Sequence, residues 1–225
     1  MNKPLLALTV CAFVAVSAEA ESWSFGIATG PFVFGEFVRR TLQTTTETGT
    51  GEQTTRLSAK TRPGLSVDLE YGFAPRWAVR AEGTFTHAPL AVKGSSDSGS
   101  VSLDAGTMNV GTATVPLVFR INPNGTFRFH LLGGPAYAVY HVATRRNAGS
   151  TLRPFAATRG RWGAALGGGM SWNWTEHFAV EGEINDTATA SSFSRSDFPA
   201  GPGLVRIKIP RTHNVHTTVG LRYRF

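Results

Sequence analysis

The sequence has little of three features that would direct it towards other classes of protein. Its one cysteine, Cys11, excludes a framework of intrachain disulfides. Beyond the first 20 residues there is no long apolar run, and no segment has a convincing 3.6-residue period, so neither membrane-spanning helices nor a helical bundle is expected. Charged residues make up only 16% of the 225 residues. Stability must therefore come from a β-sheet core or from a membrane.

The first 20 residues have the pattern of a secretory signal peptide. Lys3 gives a positive start, PLLALTVCAFVAVSA is the apolar region, and Ala18-Glu19-Ala20 forms an A-x-A cleavage site. We therefore expect residues 1–20 to be removed and residues 21–225 to form one exported domain, which then contains no thiol.

Apolar and polar residues alternate in eight segments of residues 21–225. This period of two predicts β-strands, either in a water-soluble barrel or sandwich or in an outer-membrane barrel, which turns its apolar face to lipid and its polar face to the lumen. The segments are SWSFGIATGPFVF, LSVDLEYGF, RWAVRAEGTFT, GTATVPLVFRI, TFRFHLLGGPAYAVYHV, GRWGAALGGGMSWNW, HFAVEGEIN and VHTTVGLRYRF.

The connections between these segments favour the membrane barrel. Three are short: Ala74-Pro75, the turn sequence NPNG at 122–125, and Thr175-Glu176. The other four are long and polar, at about residues 39–63, 87–102, 143–160 and 187–213. Strict alternation of short and long connections is typical of periplasmic turns and surface loops, and it predicts that both termini lie in the periplasm.

Aromatic residues gather at one level of the predicted strands. Each strand carries one near its short connection, as expected for a girdle at a membrane interface. These residues include Trp23, Tyr71, Trp77, Phe119, Phe127, Trp172, Phe178 and Tyr223.

With these features the chain resembles the small OmpA/OmpX-type outer-membrane barrels, a group that includes opacity-like surface proteins. The resemblance implies an all-β fold, an eight-stranded antiparallel transmembrane β-barrel of up-and-down topology. It also implies that the last strand is the signal read by the barrel-assembly machinery, with the matching residues Val219, Leu221, Tyr223 and Phe225. In PFVFGEFV the alternation is lost after Pro31, where we expect a bulge.

The predicted strand parity places many charged residues in the lumen. An eight-stranded barrel is narrow enough to be filled by side chains, so these charges are expected to pair with one another. We interpret them as a structural plug; the alternative is an ion path or a narrow pore that opens when pairs break. The predicted network contains Asp68, Glu70, Arg80, Glu82, Arg120, Arg128, Glu181, Glu183, Arg222 and Arg224.

Basic residues concentrate in the long connections, which carry 14 Lys or Arg against 4 Asp or Glu. Lipopolysaccharide carries phosphates on that side of the membrane, and guanidinium groups suit phosphate. We therefore predict lipopolysaccharide contact by Arg145, Arg146, Arg153 and Arg159, with solvated loop charge as the alternative. A nucleic-acid partner is not expected for an exported chain.

No constellation of residues predicts an enzyme, a cofactor or a metal site. Glu181 and Glu183 are better explained as plug residues, and His213 and His216 should lie on opposite faces of one strand. We expect a monomeric, integral outer-membrane protein with a structural and surface role: envelope integrity, lipopolysaccharide contact, and adhesion to a host or cell-surface ligand through the loops. A narrow pore or transporter is the alternative, and a lipid-modifying enzyme is a third.

Overall fold

A computed structural model describes residues 22–46, 49–96, 99–144, 156–197 and 204–225. The predicted signal peptide, residues 1–20, lies outside these ranges. The strands are β1 (Ser22–Phe34), β2 (Glu36–Thr46), β3 (Gly49–Ala59), β4 (Arg62–Ala74), β5 (Trp77–Ser96), β6 (Gly99–Thr114), β7 (Leu117–Arg120), β8 (Phe127–Thr144), β9 (Ala156–Asn173), β10 (Phe178–Thr189), β11 (Leu204–Lys208) and β12 (Thr212–Arg224). Among the described residues, none of the helical segments is long and apolar enough to cross a membrane.

The strands close into a ring with eight wall positions. Four positions hold two successive strands each, namely β1 with β2, β3 with β4, β6 with β7, and β11 with β12. Neighbouring strands are antiparallel throughout, and β1 closes the ring against β12, with Phe25 opposite Tyr223. The backbone N–H of Phe225 donates to the carbonyl of Trp23 at 3.0 Å. The predicted eight-stranded antiparallel barrel is confirmed.

The two ends of the barrel differ, although not entirely as predicted. Three tight connections lie at one end, at residues 75–76, 121–126 and 174–177, close to the expected turns. We call this the short-turn end and the opposite one the hairpin end. The prediction of long loops at the hairpin end is largely wrong, because most of residues 39–63 and 87–102 continue as paired strands. These residues are polar and rich in threonine, but threonine is a good strand former. Such segments can therefore pair as strands where the sheet is exposed or half-buried.

The outer wall carries a continuous apolar band. Its side chains remain 37–72% exposed, and an exposed surface of this extent marks a face that meets lipid. Aromatic pairs ring its short-turn end: Trp23 with Tyr71, Trp77 with Phe119, Phe127 with Trp172, and Phe178 with Tyr223, with ring centroids 4.8–6.4 Å apart. The band includes Phe25, Ile27, Leu65, Val67, Leu69, Val79, Leu117, Leu131, Leu166, Val219 and Leu221.

The interior of the hairpin end is apolar, which the sequence analysis did not foresee. A cluster of buried side chains fills the barrel there, and we call it the hairpin-end core. Its members include Phe32, Phe34, Phe37, Val38, Leu57, Leu90, Val92, Met108, Val110, Tyr140, Val142 and Phe193. The expectation of a polar lumen is thus wrong for this end.

Strand β5 shows where the two environments meet. In its first half Phe85 points outward and is 55% exposed, while Arg80 points inward and is buried. In its second half Leu90 points inward and is fully buried, and Lys93 points outward and is exposed. Inward and outward side chains alternate without interruption along β5. What changes along the strand is therefore the surroundings of its two faces. The hairpin end therefore projects beyond the lipid-facing band and is built like a water-soluble barrel.

An irregularity interrupts the wall where the bulge was expected. The pairing of β2 with β3 shifts register between Glu36 and Val38, a few residues after Pro31. As a result, the consecutive residues Phe37 and Val38 are both buried. The shift delivers an additional large side chain to the hairpin-end core.

One wall position is shorter than its neighbours at the hairpin end. Strand β10 pairs with β9 and β12 only as far as Thr189, whereas β9 continues to Ala156. Residues 190–197 run across this gap, and Phe193, which is 3% exposed, enters the hairpin-end core. The segment thus closes the wall where pairing stops.

The hairpin-end core predicts that replacing a buried phenylalanine destabilises the barrel far more than replacing an outward-facing one. We expect Phe37→Ala to lower the free energy of unfolding by about 3–5 kcal/mol, because it leaves a cavity in a packed core. Phe85→Ala is the matched control, since the same atoms are removed from an outward-facing side chain. Urea unfolding of the refolded barrel in lipid vesicles measures both. An equal loss for the two variants would contradict the core.

Candidate functional site

Arg80 lies at the centre of the lumen and contacts four carboxylates. Its guanidinium donates to Glu70 and Glu181 at 2.9 Å and to Glu183 at 2.5 Å. The Nε atom lies 3.7 Å from Asp68. The Arg80 side chain is only 3% exposed. A buried cation of this kind is tolerated because its donors are matched by acceptors from two strands, β4 and β10.

Arg222 joins the same cluster from strand β12. It donates to Glu181 and lies 2.8 Å from Asp68, and its NH1 group donates to Ser24 Oγ at 3.1 Å. At the edge of the cluster, Arg120 donates to Glu70 at 2.6 Å. Two buried guanidinium groups therefore hold four carboxylates together, and a third joins from the side.

A second polar chain leads from this cluster towards the hairpin end. His130 Nε2 lies 2.8 Å from Glu183, which also accepts from Asn185. Asn185 contacts His216 at 3.2 Å, and His216 Nε2 lies 3.5 Å from Glu82. The ring of Phe32 stacks on His216 with centroids 4.9 Å apart, so the chain ends against the hairpin-end core.

Glycines on the inner face make room for these charged groups. A Cβ atom at Gly26 would overlap the carboxylate of Asp68, and one at Gly169 would overlap the ring of His130. In the glycine run at 167–169, Gly167 and Gly169 thus have a packing role. A narrow barrel holds long side chains only where the facing wall lacks them.

The structure brings most of the predicted network together but leaves part of it outside. Six of the ten predicted residues form the central cluster, and Arg120 is joined to it. Glu82 accepts from Ser66 at 2.9 Å and reaches the cluster only through the second polar chain. Arg128 and Arg224 contact no carboxylate within 4.0 Å among the described residues. The cluster consists of Asp68, Glu70, Arg80, Glu181, Glu183 and Arg222.

Little space remains around these side chains. A cavity of about 20 Å³ lies beside Asp68 and Arg80, and another of about 30 Å³ lies nearer the short-turn end. Each has room for about one or two water molecules. The lumen is therefore filled by the ion-pair network at this level.

Three side chains have the geometry of a metal-binding group. One ligand atom each from His130, Glu181 and Glu183 lies within 4.8 Å of the others. However, Arg80 already occupies both carboxylates at 2.9 Å or less. A cation would have to displace a buried guanidinium, so the donor set fits an ion-pair plug better than a metal. His213 is exposed and contacts Asp186 at 2.8 Å, while His216 is buried in the lumen.

The predicted lipopolysaccharide role of Arg159 is wrong in its geometry. Arg159 faces inward opposite Tyr140, and its guanidinium donates to both carboxylate oxygens of Asp197, at 2.5 and 2.7 Å. It also donates to the carbonyl of Ser192 at 2.7 Å. Arg159 faces inward because β9 already begins at Ala156, so the alternation of inward and outward side chains along the strand includes this residue. Arg145, Arg146 and Arg153 lie outside the described residues.

The contacts of Arg159 hold the segment that closes the wall gap. Burial of the Asp197 carboxyl acts to raise its pKa, but hydrogen bonds from Arg159 and from the Ser194 backbone outweigh this and lower the pKa below its ordinary value. Arg161 adds a hydrogen bond to the Ser191 carbonyl at 2.7 Å. Residues 191–197 are thus held by two arginines of β9 and by Phe193.

The last strand places its alternating residues on the outer wall. The exposed fractions of Val219, Leu221, Tyr223 and Phe225 are 61%, 54%, 37% and 72%. Their role as an assembly signal stays a prediction. Their outward position leaves them accessible to another protein or to lipid.

The fold and the filled lumen define a class, the small membrane-spanning β-barrels with a closed interior. The profile of the family described as outer membrane protein beta-barrel domain matches residues 5–225, so the chain belongs to that family and is an integral outer-membrane protein. Among curated proteins, none matches this sequence significantly.

Solved structures show the same architecture. The outer membrane protein OprG from Pseudomonas aeruginosa is 15% identical, covers 92% of this chain and 97% of its own, and has a TM-score of 0.58. Neisserial surface protein A (NspA) is 8% identical, with 91% and 97% covered and a TM-score of 0.51. At such low identities the likeness shows the fold alone.

The central cluster predicts that replacing Arg80 with an uncharged residue strongly destabilises the folded barrel. We expect Arg80→Met to lower the free energy of unfolding by about 3–5 kcal/mol, because buried carboxylates lose their partner. Arg224→Met is the control, since Arg224 contacts an amide oxygen and no carboxylate. The difference between the variants in urea unfolding should shrink at low pH, where stranded carboxylates take up protons. A difference that does not change with pH would contradict this account.

The Arg159–Asp197 pair predicts acid sensitivity of residues 190–197. Because the pKa of Asp197 is lowered in the folded protein, the contact stabilises the segment above the unfolded-state pKa and is lost as the pH falls through the lower, folded-state pKa. We expect the protection of these amides, measured against the intrinsic exchange rate at the same pH, to fall at that acidic pH. In Asp197→Asn the protection should be low already at neutral pH and should change little on acidification. Slow exchange in the variant at neutral pH would contradict the role of the pair.

Proposed function

We propose that the protein is an envelope-stabilising barrel whose hairpin end faces outward and binds the phosphorylated saccharides of lipopolysaccharide. In this orientation both termini and the short turns lie in the periplasm. The filled lumen supports a structural and interactive role over transport. The observation that carries the proposal is a row of cations on the outer wall of the hairpin end.

The row consists of one basic residue from each of four adjacent strands. Lys208 of β11 lies opposite Arg39 of β2, Arg39 lies opposite Arg56 of β3, and Arg56 lies opposite Lys93 of β5. We call these four residues the basic row. Their neighbours Val38, Leu57 and Val92 are buried, so the four side chains point outward.

Such an arrangement is unfavourable for an isolated sheet. Like charges directly opposite one another on adjacent strands destabilise the pairing. Only Arg39 has a close partner in the described part of the chain, Glu36, at 2.8 Å. Asp104 stands diagonal to Lys93, and its carboxylate accepts from the Gly106 backbone. A bound polyanion would offset the remaining repulsion.

The dimensions of the basic row fit a phosphorylated saccharide. Adjacent strands lie about 4.8 Å apart, so four cations span about 14 Å. Lys93 is eight residues beyond Phe85 along β5, about 26 Å of strand, and therefore lies above the lipid-facing band. Inner-core sugars and phosphates of the outer leaflet occupy this level. Arginine and lysine both bind phosphate, and arginine does so through two parallel hydrogen bonds.

Adhesion by strand addition is a second candidate. Strand β11 pairs with β2 along one edge, and no described strand pairs with its other edge. A free edge of this kind can accept an incoming extended peptide. The narrow pore considered from the sequence has no comparable support, because the cavities of the lumen are small.

The basic row predicts which cations control saccharide binding. We expect the variant R39Q/R56Q/K93Q/K208Q, refolded in nanodiscs, to bind phosphorylated inner-core oligosaccharide at least about tenfold more weakly, because several charge-assisted contacts are lost. Calorimetric titration measures this. The control variant K60Q/R62Q/R195Q/R211Q removes four other exposed cations and should retain most of the affinity. Dephosphorylated oligosaccharide should bind the unmodified protein weakly.

Equal losses in the two variants would show that diffuse charge, and not the basic row, attracts the saccharide. Tight binding of the dephosphorylated oligosaccharide would show that phosphate is not what is recognised. Either result would overturn the proposal.

A further inference from the structure

We propose that the short-turn mouth of the lumen binds one small oxyanion of the phosphate class, held by Arg120, Arg128 and Arg224. The three arginines come from β7, β8 and β12, and all of them line the cavity of about 30 Å³ nearer the short-turn end. The site is independent of the basic row, which lies at the other end of the barrel on the outer wall.

The contacts of two of these arginines leave most of their hydrogen-bond donors unused. Arg128 Nε lies 3.4 Å from the Gly125 carbonyl, a weak hydrogen bond. Arg224 donates to the amide oxygen of Asn173 at 2.6 Å. Neither has a carboxylate within 4.0 Å in the part of the chain that the structure describes. Since a guanidinium group carries five N–H donors, most of their donors remain free for a ligand.

The third arginine has a partner that is already shared. Arg120 donates to Glu70 at 2.6 Å, but the same carboxylate also accepts from Arg80 and lies 3.7 Å from Arg222. Arg120 therefore shares Glu70 with the two central arginines, which also pair with three other carboxylates. The N–H donors of Arg120 that Glu70 does not occupy add to those of Arg128 and Arg224.

Two carboxylates of the central cluster, Glu70 and Glu181, line the same cavity beside Arg80 and Arg222. The three arginines of the site stand together at the mouth. Like charges confined between low-dielectric walls repel more strongly than in water. An anion bound among them would relieve this repulsion and remain accessible from the short-turn side.

The size and donor chemistry of the site select the ligand class. Room for about two water molecules, with one side open, admits a single phosphate or sulfate group and excludes a saccharide or nucleotide body. Planar guanidinium groups bind oxyanions through paired hydrogen bonds, which a halide cannot reproduce. The buried Ser171, which also lines the cavity, offers a further hydroxyl. Oxyanions should therefore be preferred over chloride.

The test is a titration of the full barrel, refolded in a phosphate-free maltoside detergent, with inorganic phosphate at constant ionic strength set by chloride. We expect saturable binding of one phosphate per barrel by calorimetry. R128Q/R224Q should bind at least about tenfold more weakly, because two charge-assisted contacts are lost. R62Q/R211Q is the matched control, since it removes two exposed arginines that belong to neither the mouth nor the basic row, and it should bind phosphate like the unmodified barrel.

Two further measurements keep the proposal falsifiable. R128K/R224K retains the charges but not the paired donors, so its preference for phosphate over chloride should fall. If R128Q/R224Q does not fold, the unmodified barrel decides: phosphate should raise its unfolding temperature above that in chloride of equal ionic strength. Glycerol phosphate, tested in parallel, distinguishes a free ion from a lipid headgroup as the source of the phosphate. No saturable binding, or unchanged binding in R128Q/R224Q, would overturn the proposal.

Discussion

The structure depends on closing one sheet so that no backbone edge meets lipid. Pairing of β1 with β12 achieves this, because unpaired N–H and C=O groups cannot be solvated in hydrocarbon. Closure by eight strands fixes a narrow lumen, and lipid outside fixes an apolar outer face. The polar residues of each strand are then forced inward, where they must satisfy one another. The inner glycines, the buried arginines and the carboxylates around them all follow from this one requirement.

The same constraint explains why the strands change character along their length. Where β5 leaves the lipid-facing band, its outward residues face water and its inward residues form an ordinary core, as Phe85, Leu90 and Lys93 show. The barrel is thus sealed twice, by paired charges near the short turns and by apolar packing at the hairpin end. The two seals meet where the ring of Phe32 stacks on that of His216, its directly paired neighbour on β12.

Period-two alternation was sufficient to predict the eight strands, the three tight turns and the inward set of charges. It failed where the alternation reverses its chemistry. Residues 88–93 were assigned to a long polar connection, whereas they continue β5 and place Leu90 and Val92 in the hairpin-end core. The sequence did contain a signal for this strand. The two-residue alternation continues through it, but the apolar residues move to the inward positions and the polar residues to the outward ones. Exact pairings, such as Arg159 with Asp197, could not be predicted, because they depend on β10 ending early and on the path of residues 190–197.

The two groups of cations proposed to bind anions, the basic row and the arginines of the mouth, differ in kind. The basic row is flat, exposed and spread over four strands, which suits a polymer with many weak contacts. The arginines of the mouth converge on one small cavity, which suits a single ion. Exposed contacts are screened strongly by salt, whereas partly buried ones are screened much less. Binding at the row should therefore fall steeply as ionic strength rises, while binding at the mouth should fall only slightly, so salt alone separates the two sites in an unmodified barrel.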